Sequence, residues 1–181
     1  TLIDNTRRAI EEQGKKAPNR DILPLTDPDP YDVFSRGDTD GVFQVESSGM
    51  RQYLRMLRPN CFEDIIAMLA LYRPGPLGSG MVDEFIKRKH GEVDVTYPLP
   101  SLEGCLKDTY GVIVYQEQVM QIAQIVAGYT LGGADLPRRA MGKKNAEAMA
   151  KERTLFVAGA VKTGTSTEKA TENFDLKEKF A

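Results

Sequence analysis

Cysteine, histidine and long apolar runs are scarce in this chain, and each scarcity removes a class of function. The two cysteines, Cys61 and Cys105, are far apart with no C-x-x-C spacing, so neither a zinc site nor a disulfide framework is indicated. Both are expected to be small buried hydrophobes. The single histidine, His90, has no cysteine or serine at a spacing that would make a nucleophilic pair, and is expected at the surface. No apolar run approaches a membrane span, and the opening T-L-I-D-N-T-R-R-A-I lacks the basic end and apolar centre of a signal peptide. A cytoplasmic setting without a membrane partner is expected. Neither a G-x-x-x-x-G-K-S/T phosphate loop nor a G-x-G-x-x-G run is present. With 24 Lys and Arg against 26 Asp and Glu, the net charge of −2 argues against a generic nucleic-acid binder. Any phosphate contact must come from local clusters.

What is present is helical periodicity. The 181 residues fit one domain or part of one, and the chain opens inside a helical pattern without an initiating methionine, as a piece of something longer would. Residues 14–30 are rich in proline and charge and read as an exposed connection. Asp29 is expected to cap a short helix over Tyr31 to Ser35. Val42 to Val45 suits a strand or a buried turn. A helix from Gly49 to Leu57, capped by Ser47 or Ser48, has Met50, Leu54 and Leu57 on one face and Arg51, Arg55 and Arg58 on another. That stripe reads either as a track for a nucleic-acid backbone or as a solvated face.

Phe62, Ile65, Ile66, Leu69 and Ala70 define the next helix, which Arg73-Pro74-Gly75-Pro76 stops, presenting Tyr72 and Arg73 at its edge. Met81 to Lys89 forms a helix with Val82, Phe85 and Ile86 inward and Lys87, Arg88 and Lys89 at its end, where cations also complement the helix dipole. Ser101 to Lys107 makes a short helix. Val112 to Tyr115, β-branched and aromatic, is the best strand candidate. Gln116 to Ala127 follows as an amphipathic helix burying Val119, Ile122, Ala123 and Val126. Asn145 to Lys162 and a last helix capped by Ser166 or Thr167 complete a mainly α chain with a minor short β element.

The most concentrated chemistry lies in G-Y-T-L-G-G-A-D-L-P-R-R-A-M-G-K-K, residues 128–144. Gly132 and Gly133 are expected to loosen the backbone at a helix end, and Asp135 to cap a new helix. Arg138, Arg139, Lys143 and Lys144 then fall within seven residues. Arginine forks bind phosphate oxygens bidentately and lysines add mobile charge, so the block suits a triphosphate or a sugar-phosphate backbone. A solvated helix end is the plainer alternative. Two D-x-D pairs, Asp27/Asp29 and Asp38/Asp40, invite a metal assignment but are explained by turn and cap preferences.

With that block, the segments D-T-D-G-V-F-Q-V-E-S-S-G-M (38–50), F-E-D-I-I-A-M-L-A-L-Y-R-P-G-P-L-G-S-G-M-V-D-E-F-I-K-R-K-H-G (62–91) and Y-G-V-I-V-Y-Q-E-Q-V-M-Q-I-A-Q (110–124) resemble the fingers region of the alpha subunit of bacterial DNA polymerase III, the C-family replicative polymerases. The resemblance implies a multi-helix fingers domain: a connecting helix and linker over residues 1–36, the fingers core over 37–164 and a truncated C-terminal helix over 165–181. It further implies that Arg138 and Arg139, with Lys143 and Lys144, hold the triphosphate of an incoming dNTP. Tyr72, Arg73, Tyr115 and Gln116 become candidate nucleotide or template contacts, and Arg51, Arg55, Arg58, Lys87, Arg88 and Lys89 candidate DNA-backbone contacts. Mg2+ would serve the complete enzyme through palm aspartates outside this chain, so no residue here is expected to be catalytic or metal-binding. Primer-template DNA, dNTP and, through other regions, the sliding clamp and further replicase subunits are the implied partners.

Pro137, Asn173 and Lys177 depart from the family pattern. Two rivals stand beside this reading. One is a paralogue, an error-prone or Gram-positive-type alpha subunit; the other is a non-enzymatic helical adaptor that binds nucleic acid or protein.

Overall fold

Side-chain caps mark several of the helix starts. The computed structural model describes residues 2–135 and 146–180, with side chains for all of these except 20, 146, 148 and 177–180. The helices are α1 (Leu2–Glu12), α2 (Pro28–Arg36), α3 (Ser48–Leu57), α4 (Phe62–Leu71), α5 (Pro74–Gly78), α6 (Met81–Lys89), α7 (Glu103–Leu106), α8 (Gln116–Ala127), α9 (Ala146–Lys162) and α10 (Thr167–Phe180). Ser47 Oγ accepts from Met50 N at 3.3 Å to start α3, and Ser166 Oγ accepts from Lys169 N at 3.3 Å to start α10. Asp27 rather than Asp29 caps α2, accepting from the Asp29 N–H at 3.1 Å. Pro28 follows with its φ preset for the first turn.

The glycine pair was expected to end a helix and does not. Gly128 ends α8 in the left-handed conformation, and residues 131–135 are already helical. Thr130 caps that turn, its Oγ1 accepting from Gly133 N at 3.1 Å, so Asp135 lies within it and not at its start. Pro137 falls outside the described residues.

Two apolar clusters hold the helices. In the first, Met50, Leu54 and Leu57 of α3 meet Ala67, Met68 and Leu71 of α4 and Val82, Phe85 and Ile86 of α6. The second collects Val119, Ile122, Ala123 and Val126 of α8, Met149, Phe156 and Ala160 of α9, and Ala170 and Phe174 of α10. Phe156 and Phe174 are fully buried with centroids 5.7 Å apart. At roughly 1.5–3 kcal/mol per buried large side chain, such clusters outweigh the weak propensities of the individual helices. Among the described residues no helix is long and apolar enough to cross a membrane.

The expected β element is absent among the described residues. Val112–Val114 is extended but pairs with no strand. Its alternation is real: Val112 and Val114 enter the first cluster, Ile113 the second. The segment is buried between two helical layers, and side chains rather than a neighbouring strand satisfy its backbone. Residues 42–45 are a turn, with Val45 buried and Phe43 83% exposed. In α4, Ile65 is buried as expected, but Phe62 and Ile66 are exposed while Ala67, Met68 and Leu71 face inward. A helix apolar nearly all round does not announce its inner face.

Asn173, a departure from the family pattern, is 3% exposed and donates through Nδ2 to Lys169 O at 2.7 Å, so its burial leaves that donor satisfied. The Lys177 side chain is not among those described.

Gly159 of α9 touches α8 so closely that a Cβ there would lie 2.4 Å from Ala127 O. Gly159→Ala should therefore lower stability by about 1–3 kcal/mol despite the helix-propensity gain of about 1 kcal/mol. Gly104, in α7, has open space where its Cβ would go, and Gly104→Ala should be neutral or stabilising. Denaturant unfolding of the two variants checks the contrast.

Candidate nucleotide and nucleic-acid surface

Gln118, the third residue of α8, fixes the chain that enters that helix. Its Oε1 accepts from Val114 N at 2.8 Å and Tyr115 N at 2.9 Å, while Nε2 donates to Cys105 O at 3.0 Å and Thr109 Oγ1 at 2.8 Å. Thr109 Oγ1 in turn donates to Val112 O at 2.6 Å. Buried backbone groups without a strand partner require such acceptors and donors. Neither residue stood out in the sequence, although a glutamine three places after a helix-start position is a capping-box signal.

Tyr115 emerges half-buried from this anchor, and burial, then the charge of Glu63, raises its pKa above the ordinary range. Gln116 is exposed at the start of α8. Arg73 is exposed at the start of α5. Tyr72 turns instead toward α3: its ring packs edge-on against Tyr53 at 5.9 Å, and its hydroxyl fills the space beside Gly49. Arg138, Arg139, Lys143 and Lys144, the centre of the sequence reading, lie outside the described residues.

The candidate DNA-backbone cations divide sharply. Lys89 is 6% exposed and pairs with the 2% exposed Asp64 at 2.9 Å, also donating to Asn60 Oδ1 at 2.9 Å. Arg88 is 12% exposed. It pairs with Glu84 and donates through Nη1 to Thr96 O at 3.2 Å and Tyr110 O at 3.1 Å. Gly111 permits this approach, since a Cβ there would lie 2.5 Å from Thr96 O and 2.7 Å from Arg88 Nη1. Arg51 is held bidentately by Asp40 and donates to Glu46 O at 2.8 Å. These three hold parts of the fold together, Arg88 and Lys89 from largely enclosed positions and Arg51 from a surface pair. Lys87, Arg55 and Arg58 are exposed.

Asp64 follows Glu63 in the first turn of α4, where acids are ordinary helix-dipole partners, so nothing in the sequence marked it for the pair with Lys89. Asn60 N also donates to Asp64 Oδ2 at 3.1 Å, and Tyr110 Oη to Oδ1 at 3.4 Å.

The same economy governs the D-x-D pairs. Asp38 accepts from Arg36 Nε at 2.8 Å, Asp40 holds Arg51, and Asp27 caps α2. No cluster of three or more His, Cys, Asp or Glu suited to a metal occurs among the described residues.

The described elements form a multi-helix scaffold with an exposed α8 start, followed further along the sequence by a run of cations, and so define a mainly α, helical domain. The chain belongs to the bacterial DNA polymerase III alpha subunit finger domain family, whose model matches residues 1–164. It is 56% identical to the DNA polymerase III subunit alpha of Haemophilus influenzae over 99% of this chain and 16% of that protein. The corresponding subunit of Escherichia coli is 53% identical over 98% of the chain and 16% of its own length, and that of Aquifex aeolicus 55% identical over 88% and 14%. The chain thus spans about a sixth of the curated relatives it matches.

Removing one member of the Asp64–Lys89 pair strands a buried charge, so Asp64→Ala should cost about 3–5 kcal/mol. Denaturant unfolding checks this, and a double-mutant cycle with Lys89→Met should show strong coupling. Burial, followed by the charges of Asp64 and Glu152 respectively, raises Tyr110 and Tyr129 from 10.0 to about 12. The folded state holds these protons more tightly, so their contribution is intact below pH 10 and lost as pH rises toward 12. The parent minus Tyr110→Phe difference in unfolding free energy should decline across that window, and a flat difference would contradict the assignment.

Proposed function

We propose that the chain is the fingers portion of a DNA-directed DNA polymerase that replicates the bacterial chromosome. Its role is to hold the triphosphate of the incoming dNTP over the template base. The observation that carries this reading is identity above one half with DNA polymerase III alpha subunits across nearly the whole chain. Phosphoryl transfer depends mainly on positioning and on stabilising charge, and the fingers can supply both without touching the metal chemistry.

In this reading Arg138 and Arg139 grip phosphate oxygens bidentately, and Lys143 and Lys144 add weaker point-charge attraction. Tyr115 and Gln116, presented by the Gln118 anchor, face the nascent base pair, with Arg73 as a further contact. Magnesium, held by carboxylates elsewhere in the polymerase, would supply charge neutralisation and Lewis acidity. The chain alone would have no polymerase activity. Residues 1–36 would connect to the palm and residues 37–164 form the working fingers. Primer-template DNA is the macromolecular partner, and contacts with the clamp and other replicase subunits belong to other regions of the enzyme.

In the complete polymerase, Arg139→Ala should raise the KM for dNTP or lower kcat by about two orders of magnitude, the scale of losing one charge-stabilising donor. Primer-template affinity should persist. Unchanged steady-state kinetics would remove the assignment.

A further inference from the structure

Among the described residues, carboxylates pair with five of the twelve arginines. Arg7, Arg36, Arg51, Arg88 and Arg153 pair with Glu11, Asp32 and Asp38, Asp40, Glu84 and Asp175 respectively. Arg55 and Arg58 do not: among the described residues neither has a carboxylate partner, yet both line one open cleft of about 500 Å³ with Gln52, Met56, His90 and Glu92.

The cleft is organised. Arg55 Nε donates to Arg36 O at 3.1 Å, which fixes the guanidinium plane and leaves its Nη groups without a protein partner. Arg58 caps α3 at φ 46 and ψ 65, a left-handed conformation in which glycine is the easier residue. A cation held at a strained position beside a cleft is a reason to look for a ligand. His90 ends α6 with Nε2 donating to Met56 O at 2.9 Å, so the ring bridges α3 and α6 and its other nitrogen is turned away from that carbonyl.

We propose that this cleft binds a single phosphodiester of the DNA backbone. Arg55 and Arg58 grip the non-bridging oxygens, Gln52 adds a hydrogen bond through its side-chain N–H, and the half-exposed Met56 lies against the sugar. Glu92 in the same cleft selects for low charge: a phosphodiester carries one negative charge, whereas a free triphosphate carries several and would meet that carboxylate. The cleft is therefore distinct from the triphosphate grip. It rests on the polymerase reading for DNA as its ligand.

Arg58→Gly in the complete polymerase is the informative variant, because it removes the cation while easing the backbone. Fluorescence anisotropy with labelled primer-template should show about tenfold weaker binding at low salt, and a log K against log salt slope shallower by about one. Thermal stability should be unchanged or higher, and the KM for dNTP at saturating DNA unchanged. Glu92→Gln should tighten binding. A loss confined to DNA with a long 5′ overhang assigns the phosphate to the single-stranded template, and a loss shared by blunt duplex assigns it to the duplex. Unchanged affinity and slope with both DNAs would overturn the proposal and leave an acidic protein segment as the ligand to try. Arg139→Ala separates the two readings, since loss of DNA binding in Arg58→Gly with normal nucleotide kinetics in Arg139→Ala would refute the triphosphate grip alone.

Discussion

A single glutamine amide makes an unusual backbone geometry tenable. Residues 112–114 run extended through the interior between two helical clusters, with no strand beside them to take their hydrogen bonds. Gln118 supplies both missing acceptor contacts at Val114 and Tyr115, and its own N–H groups are satisfied by Cys105 and Thr109. A buried amide N–H left without a partner costs about 1–3 kcal/mol. The anchor therefore sets where α8 begins, and α8 carries the chain through Gly128 and the Thr130 cap toward the cationic run.

Charge is distributed by the same principle of satisfying what is buried. Arg51, Arg88 and Lys89 are clustered with other cations in sequence, yet each is consumed by a carboxylate or by backbone carbonyls within the fold. The Asp64–Lys89 pair ties α4 to α6, and with Tyr110 it ties both to the turn preceding the extended segment. Among the described residues Arg55 and Arg58 have no carboxylate partner at one cleft, and the four cations of residues 138–144 are the second candidate. Near-neutral net charge and phosphate binding are thus compatible, because free cations matter and total cations do not.

Helices with one clean apolar stripe were legible from their residues. The inner faces of α3 (Met50, Leu54, Leu57), α6 (Val82, Phe85, Ile86) and α8 (Val119, Ile122, Val126) follow directly from spacing. The inner face of α4 did not, because apolar residues surround it and Asp64 lies on the buried side. Val112–Val114 has strand alternation for the right physical reason, burial on both faces, but alternation cannot say whether the neighbours are strands or helices. Phe156, central to the second cluster, escaped notice because α9 has a weak apolar pattern. For the site, residue type marked every candidate cation, but only tertiary partners distinguish Arg58 from Arg88. The family resemblance was legible because long, ordered runs such as residues 62–91 carry more information than short motifs.

The most direct test of the central claim is a structure of the complete polymerase bound to primer-template DNA and a non-hydrolysable dNTP. The account predicts guanidinium nitrogens of Arg138 and Arg139 within hydrogen-bond distance, about 2.7–3.2 Å, of the nucleotide phosphates, with the α8 start beside the template base. Side chains of that pair turned into the interior or locked by acidic neighbours, with the triphosphate held elsewhere, would contradict it.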